Sequence, residues 1–135
     1  MTGEKRLTEL IQGMRPRLNN GDYVFVLKPS SVHVPTATII GLFQENEGTT
    51  LIIKKQIADD LGLNYDFVST WITLDIHSSL EAVGLTAVVS KSLAQNSISC
   101  NVVAAYHHDH IFVAKSDGKR ALKVLDKLSR TFEAS

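Results

Sequence analysis

His107-His108-Asp109-His110 is the densest run of chemistry-bearing side chains in the sequence. Imidazole and carboxylate together suit zinc or iron, so a metal-dependent enzyme would use this run if its side chains converged. The spacing works against convergence. In an extended strand His108 and His110 project to one side, and His107 and Asp109 to the other. A tight turn brings two of them together, whereas structural zinc sites take four protein ligands and catalytic ones three. His33 and His77 stand far off in sequence and join only by accident of fold. The plain alternative is a solvated hairpin tip.

Ser78-Ser79-Leu80-Glu81 forms a second candidate. It precedes a helical pattern, and a helix start presents free amides that take an anionic group such as a carboxylate. Ser78 or Ser79 also suits ordinary capping, and Glu81 suits the positive end of the helix dipole. Glu81 would repel a bound carboxylate. Cys100 falls on the apolar face of a predicted strand, where a thiol serves as a small hydrophobe. A Cys–His nucleophile needs a histidine within reach, and the histidine run lies too far along that strand. Trp71 falls on the more polar face of its own strand, where it would stack on a ligand or pack against another layer.

The elements that must hold these residues follow from periodicity. Leu7, Leu10, Ile11 and Met14 recur at helical spacing, which predicts a helix over 4–14 ended by Pro16. Tyr23–Lys28, Ala37–Phe43 and Thr49–Lys54 read as strands, the last two joined by a polar hairpin turn ending in Gly48. Ile57, Ala58 and Leu61 suit a short helix stopped by Gly62. Phe67–His77 is a long strand with Val68, Ile72, Leu74 and Ile76 on one face and Trp71, Thr73, Asp75 and His77 on the other. Ala82, Leu85, Val88, Val89 and Leu93 stripe a helix running to Gln95. Ile98–Tyr106 and His110–Lys115 form a hairpin, and Asp117 is placed to cap a last helix striped by Ala121, Leu125, Leu128 and Phe132.

From Phe67 onward the order is β-α-β-β-α. This is a ferredoxin-like βαββαβ unit lacking its last strand. An open sheet edge invites pairing, so a strand drawn from residues 23–54 is expected to complete it. On the helix face away from the core stripe, Val83, Ala87, Ser90 and Ala94 are small and regularly spaced. They would let a second helix approach closely, and they mark an expected interface between copies.

Composition bounds the function. The chain has 135 residues, of which 44% are hydrophobic, and Lys plus Arg (14) balances Asp plus Glu (14). Balanced charge argues against a nucleic-acid or anionic-membrane surface and removes the repulsion that keeps monomers apart. Cys100 is the single cysteine, so no internal disulfide forms, which fits a reducing compartment. Met1–Leu10 is polar and charged, with no apolar run of signal-peptide length, and no stretch approaches the roughly 20 apolar residues of a membrane span. The expectation is a soluble, cytoplasmic chain.

Gly84–Ala94 followed by Ile98–Val113, with the pattern Ala105-Tyr106-x-x-Asp109-His110-x-x-Val113, resembles the second unit of small bacterial ACT-domain proteins. It is also similar to the tandem ACT units of cytosolic arginine sensors. Gly41–Ile53, with Glu45, Glu47 and Gly48, resembles the N-terminal unit of the same small bacterial family. The Asp-x-Pro-Gly of many metabolic ACT domains is replaced here by Asp75-Ile76-His77-Ser78-Ser79-Leu80.

The resemblance implies an α+β fold of two intertwined ACT-like units, with an antiparallel sheet and helices on one face. Residues 1–65 would form a degenerate unit and 66–135 a second one completed by an N-terminal strand. It further implies a regulatory or sensing module, not an enzyme, that needs no cofactor, self-associates as a dimer and binds a small ligand such as an amino acid. The pocket would lie between units. Ser78, Ser79, Leu80, Glu81, Ala82 and Val83 would bound it on one side, and Asp109 and His110 on the other. The alternatives are the metal-dependent enzyme and a pure assembly module without ligand.

Overall fold

Leu7, Leu10 and Ile11 do share one helical face, and α1 (Gly3–Gly13) buries Ile11 completely, as the chain does Met14 just past the end of the helix. The computed structural model describes residues 3–76 and 84–133. Pro16 ends the helix as expected, but the chain then turns directly into a short strand, β1 (Arg15–Leu18). Proline lacks an N–H and is confined to strands with a free side. β1 has one described partner, β5 (Val68–Asp75), with Pro16 opposite Leu74 and Leu18 opposite Ile72. β2 (Tyr23–Lys28) continues along the same edge of β5, pairing Tyr23 with Ser69 and Val24 with Val68. The edge is thus covered mainly by 15–18, which periodicity leaves unassigned, and only at its start by the expected 23–54 segment.

Prolines 29 and 35 keep the next stretch out of helix geometry, and it holds one 3-10 turn at Thr36–Thr38. β3 (Ile39–Glu45) and β4 (Gly48–Lys54) form the expected hairpin, and β4 pairs β2 along its length. α2 (Lys55–Asp60) follows and ends before Gly62, whose φ of 69° only glycine adopts freely. After β5 the described chain resumes at Gly84 and enters α3 (Leu85–Gln95). β6 (Cys100–Ala104), β7 (Asp109–Ala114), a 3-10 turn and α4 (Gly118–Thr131) complete it.

The strands form one antiparallel sheet in the order β3-β4-β2-β5-β7-β6, with β1 beside β5. Two ferredoxin-like arrangements share it. β5, β6 and β7, with β1 at the fourth place, give one. β2, β3 and β4, with β5 at the fourth place, give the other, a loop standing where its first helix would be. β5 belongs to both.

One face of the sheet carries the four helices of the described residues. Ile72, Leu74, Ile111 and Val113 meet Ile11, Leu85, Val89, Leu93, Ala121 and Leu125 there, and Val24, Val26, Leu51 and Ile53 meet Ala58 of α2. α4 starts in close contact with β5: a Cβ on Gly118 would lie 2.7 Å from Thr70 Oγ1. Asp117 precedes α4 as expected but makes no capping hydrogen bond, which corrects the capping role read from the sequence. Its backbone is already helical, continuing the 3-10 turn, and its carboxylate pairs with Arg120 at 2.9 Å.

Candidate functional site

The opposite face of the sheet carries no helix among the described residues, yet it is rich in aromatics. Two-residue alternation puts Tyr23, Phe25, Trp71 and Phe112 there, and Ile40 and Ile52 pack with them. Trp71 stacks on Phe112 at 6.1 Å, and Tyr23 meets Trp71 edge-on at 5.2 Å. Such pairs add stability beyond the area they bury.

Both edges of the sheet contribute to a single cavity of about 450 Å³ on this face. β3 supplies Ile39, Ile40 and Gly41, while Val103 of β6 and Ala105 beyond it supply the other wall. Ile52, Trp71, Phe112 and His110 lie between them. A bulge between Ile39 and Gly41 breaks the β3 register there and bends the strand. A Cβ on Gly41 would come within 3.0 Å of Ile52 Cδ1, so glycine keeps this wall thin. Periodicity marks these residues as strand interior and gives no sign that they share a cavity. The one available signal is Gly41 inside an apolar β-branched run, where glycine marks a bulge or a close approach.

His110 is the polar group of the cavity, and its neighbours fix its chemistry. Trp71 Nε1 donates to His110 Nδ1 at 2.9 Å. Thr73 Oγ1 lies 3.2 Å from the same nitrogen and itself accepts from Asn19 Nδ2 at 2.9 Å. An indole N–H only donates, so Nδ1 is an acceptor and the ring proton sits on Nε2. Burial holds the imidazole pKa below its ordinary value, and the neighbouring His108 pushes the same way.

A pH dependence of stability follows. The unfolded chain takes up a proton near the ordinary histidine pKa, while folded His110 resists it. His110 therefore contributes its full stabilisation above about pH 6.5, and that contribution falls as pH drops through the lowered folded value. Denaturation midpoints from pH 8 to pH 5 should decline less in His110→Gln than in the native chain; parallel declines would contradict it.

Asp109 opens β7 opposite Leu74 and Ala104, so it stands on the helix side of the sheet, across β7 from His110. Leu74 is near the end of β5 from which the chain runs on toward Ser78. Ser78, Ser79, Leu80, Glu81, Ala82 and Val83 lie outside the described residues. Of the expected interface residues, Val83 shares that position, Ala87 and Ala94 are exposed, and Ser90 is half-buried. His108 Nε2 lies 3.7 Å from Asp75, which Arg17 also binds at 3.1 Å, and Arg17 holds that carboxyl below the usual range. No group of three or more His, Cys, Asp or Glu side chains able to hold a metal occurs among the described residues. The half-buried Cys100 thiol is pushed up by burial, away from nucleophilic reactivity.

A sheet of this order with helices on one face is the ferredoxin-like fold of regulatory ACT units. Residues 2–70 match one ACT domain family and residues 66–127 another, so the chain belongs to the ACT-domain family. The crystal structure of a possible transport protein of unknown function from Vibrio cholerae is similar at 41% identity. The match covers 95% of this chain and 99% of that one, with a TM-score of 0.81. An Agrobacterium tumefaciens protein shares the fold at 16% identity over 86% of this chain and 89% of its own, TM-score 0.63. The regulatory subunit of aspartate kinase from Thermus thermophilus shares it at 7% identity over 84% and 95%, TM-score 0.61. No curated protein matches the chain. No helix among the described residues is long and apolar enough to cross a membrane.

Proposed function

We propose that this chain is a non-catalytic, cytoplasmic sensor that binds an amino acid or a related metabolite and reports it through dimer assembly. The observation that carries the reading is the tandem ACT match across one sheet whose central strand, β5, serves both arrangements. A ligand at one end of β5 then acts on both units. We take residues 1–65 as the degenerate unit and 66–135 as the second.

The amino-acid site in this reading lies where Asp109 flanks the end of β5 that leads into residues 78–83. A carboxylate there pairs with the ammonium group through charge-assisted hydrogen bonds. Backbone amides of a helix start would take the ligand carboxylate. Two copies meeting through Val83, Ala87, Ser90 and Ala94 would tie binding to assembly by linkage.

A thermal-shift screen with the standard amino acids tests this. A ligand at a hundred times its Kd adds about 2.7 kcal/mol to stability, and roughly 4 °C per kcal/mol gives a rise of about 10 °C. The same amino acid should bind at least tenfold more weakly to Asp109→Ala. Light scattering should report about twice the 14.8 kDa chain mass. A dimer without any ligand shift would identify an assembly module; a monomer without one would remove both readings.

A further inference from the structure

The cavity on the helix-free face lies across β7 from Asp109, so an amino-acid site at Asp109 does not use it. Its composition differs from what an amino acid needs. None of its lining residues carries a permanent charge. A zwitterion would lose its hydration there without an ionic partner, at a cost that grows as water is excluded. What the cavity does offer is aromatic and aliphatic surface with one imidazole in its lining. Nδ1 of His110 is occupied by Trp71, and Nε2–H has no hydrogen-bond partner among the described residues. A volume of about 450 Å³ falls within the roughly 300–1,000 Å³ of small-molecule sites.

We propose that this cavity is a second binding site, for a small neutral ring-bearing molecule with one carbonyl-type acceptor. The acceptor takes the Nε2–H of His110, and the ring lies on Trp71 and Phe112. Asn19 and Thr73 act as positioning residues: with Trp71 they hold the imidazole in the tautomer that keeps Nε2 a donor. Ile40, brought onto this face by the β3 bulge, closes one side, and Val103 of β6 closes the other. The two walls belong to opposite edges of the sheet, so an occupant bridges the two ACT arrangements.

Trp71 is the single tryptophan, so its indole N–H gives one assignable NMR signal at the base of this cavity. Titrating the full chain with benzamide should move that signal saturably. Benzoate, of nearly the same shape but charged, should bind at least tenfold more weakly. Ala105 is exposed at the rim, so Ala105→Phe should fill the mouth, leave the remaining spectrum intact and abolish the benzamide response. Several results would overturn the proposal. One is an unmoved indole signal; another is benzoate binding as well as benzamide. Undiminished binding to a folded Ala105→Phe chain would place the probe elsewhere. If the indole signal of the ligand-free protein moves on dilution, the face is an interface between copies and the proposal fails. Should Ala105→Phe not fold, the benzamide–benzoate contrast on the native chain decides alone.

Discussion

Truncating Ile72 to alanine should lower stability by about 2–5 kcal/mol and still leave one unfolding transition for the whole chain. Ile72 is fully buried at the centre of β5 and packs among Leu74, Ile111, Leu85, Val89 and Leu125 on the helix face. Removing its outer carbons takes away transfer free energy and leaves a space that the surrounding helices fill only in part. The reason for a single transition is topological. β5 pairs with β1, β2 and β7, so neither ferredoxin-like arrangement keeps its sheet if this strand is lost. Urea unfolding followed by Trp71 fluorescence and by far-UV circular dichroism should give coincident curves, with a lower midpoint and an unchanged m-value. Curves that separate would show that the β2-β4-β3 half persists without β5.

Where one face of an element is buried and the other wet, its residues are legible from period alone. β5 shows this: Ile72 and Leu74 lie among the helices, while Trp71 lies on the other face. α3 buries Leu85, Val89 and Leu93 of its expected stripe. β1 was not legible, because four residues that include two arginines and a proline carry no hydrophobic period; pairing with β5 makes them a strand. Asp117 fits a capping pattern in sequence, but the 3-10 turn before α4 rotates its backbone into helical geometry, and Arg120 takes the carboxylate.

The site is less legible than the fold. Strand alternation separates Asp109 from His110 at once. It cannot show that Ile39–Gly41 and Val103, some sixty residues apart in sequence, form walls of one cavity. That depends on the curl of a sheet whose two edges are set by long-range pairing. The fixed tautomer of His110 is likewise invisible in sequence, since Trp71, Thr73 and Asn19 converge on it only through the β5–β7 register and the turn after β1.

Phe112→Ala should cost about 3–5 kcal/mol, even though this residue lies on the face that no described helix covers. Its exposure is 2%, because its neighbours on the sheet bury it: Trp71 stacks at 6.1 Å and Phe25 approaches edge-on at 5.3 Å. Alanine would remove the ring contacts of both and widen the cavity beneath Trp71. Water reaching the indole should shift its emission to longer wavelength in the folded state. Phe112→Leu keeps most of the apolar volume and should lose less than half as much stability, since it forfeits chiefly the aromatic geometry. Midpoints in urea and the emission maximum of the native state provide the two readings. A cost under about 1 kcal/mol for alanine, against the range expected for a buried phenylalanine, would mean that the helix-free face repacks around the gap. In that case the aromatic cluster would not be the rigid floor that the cavity requires.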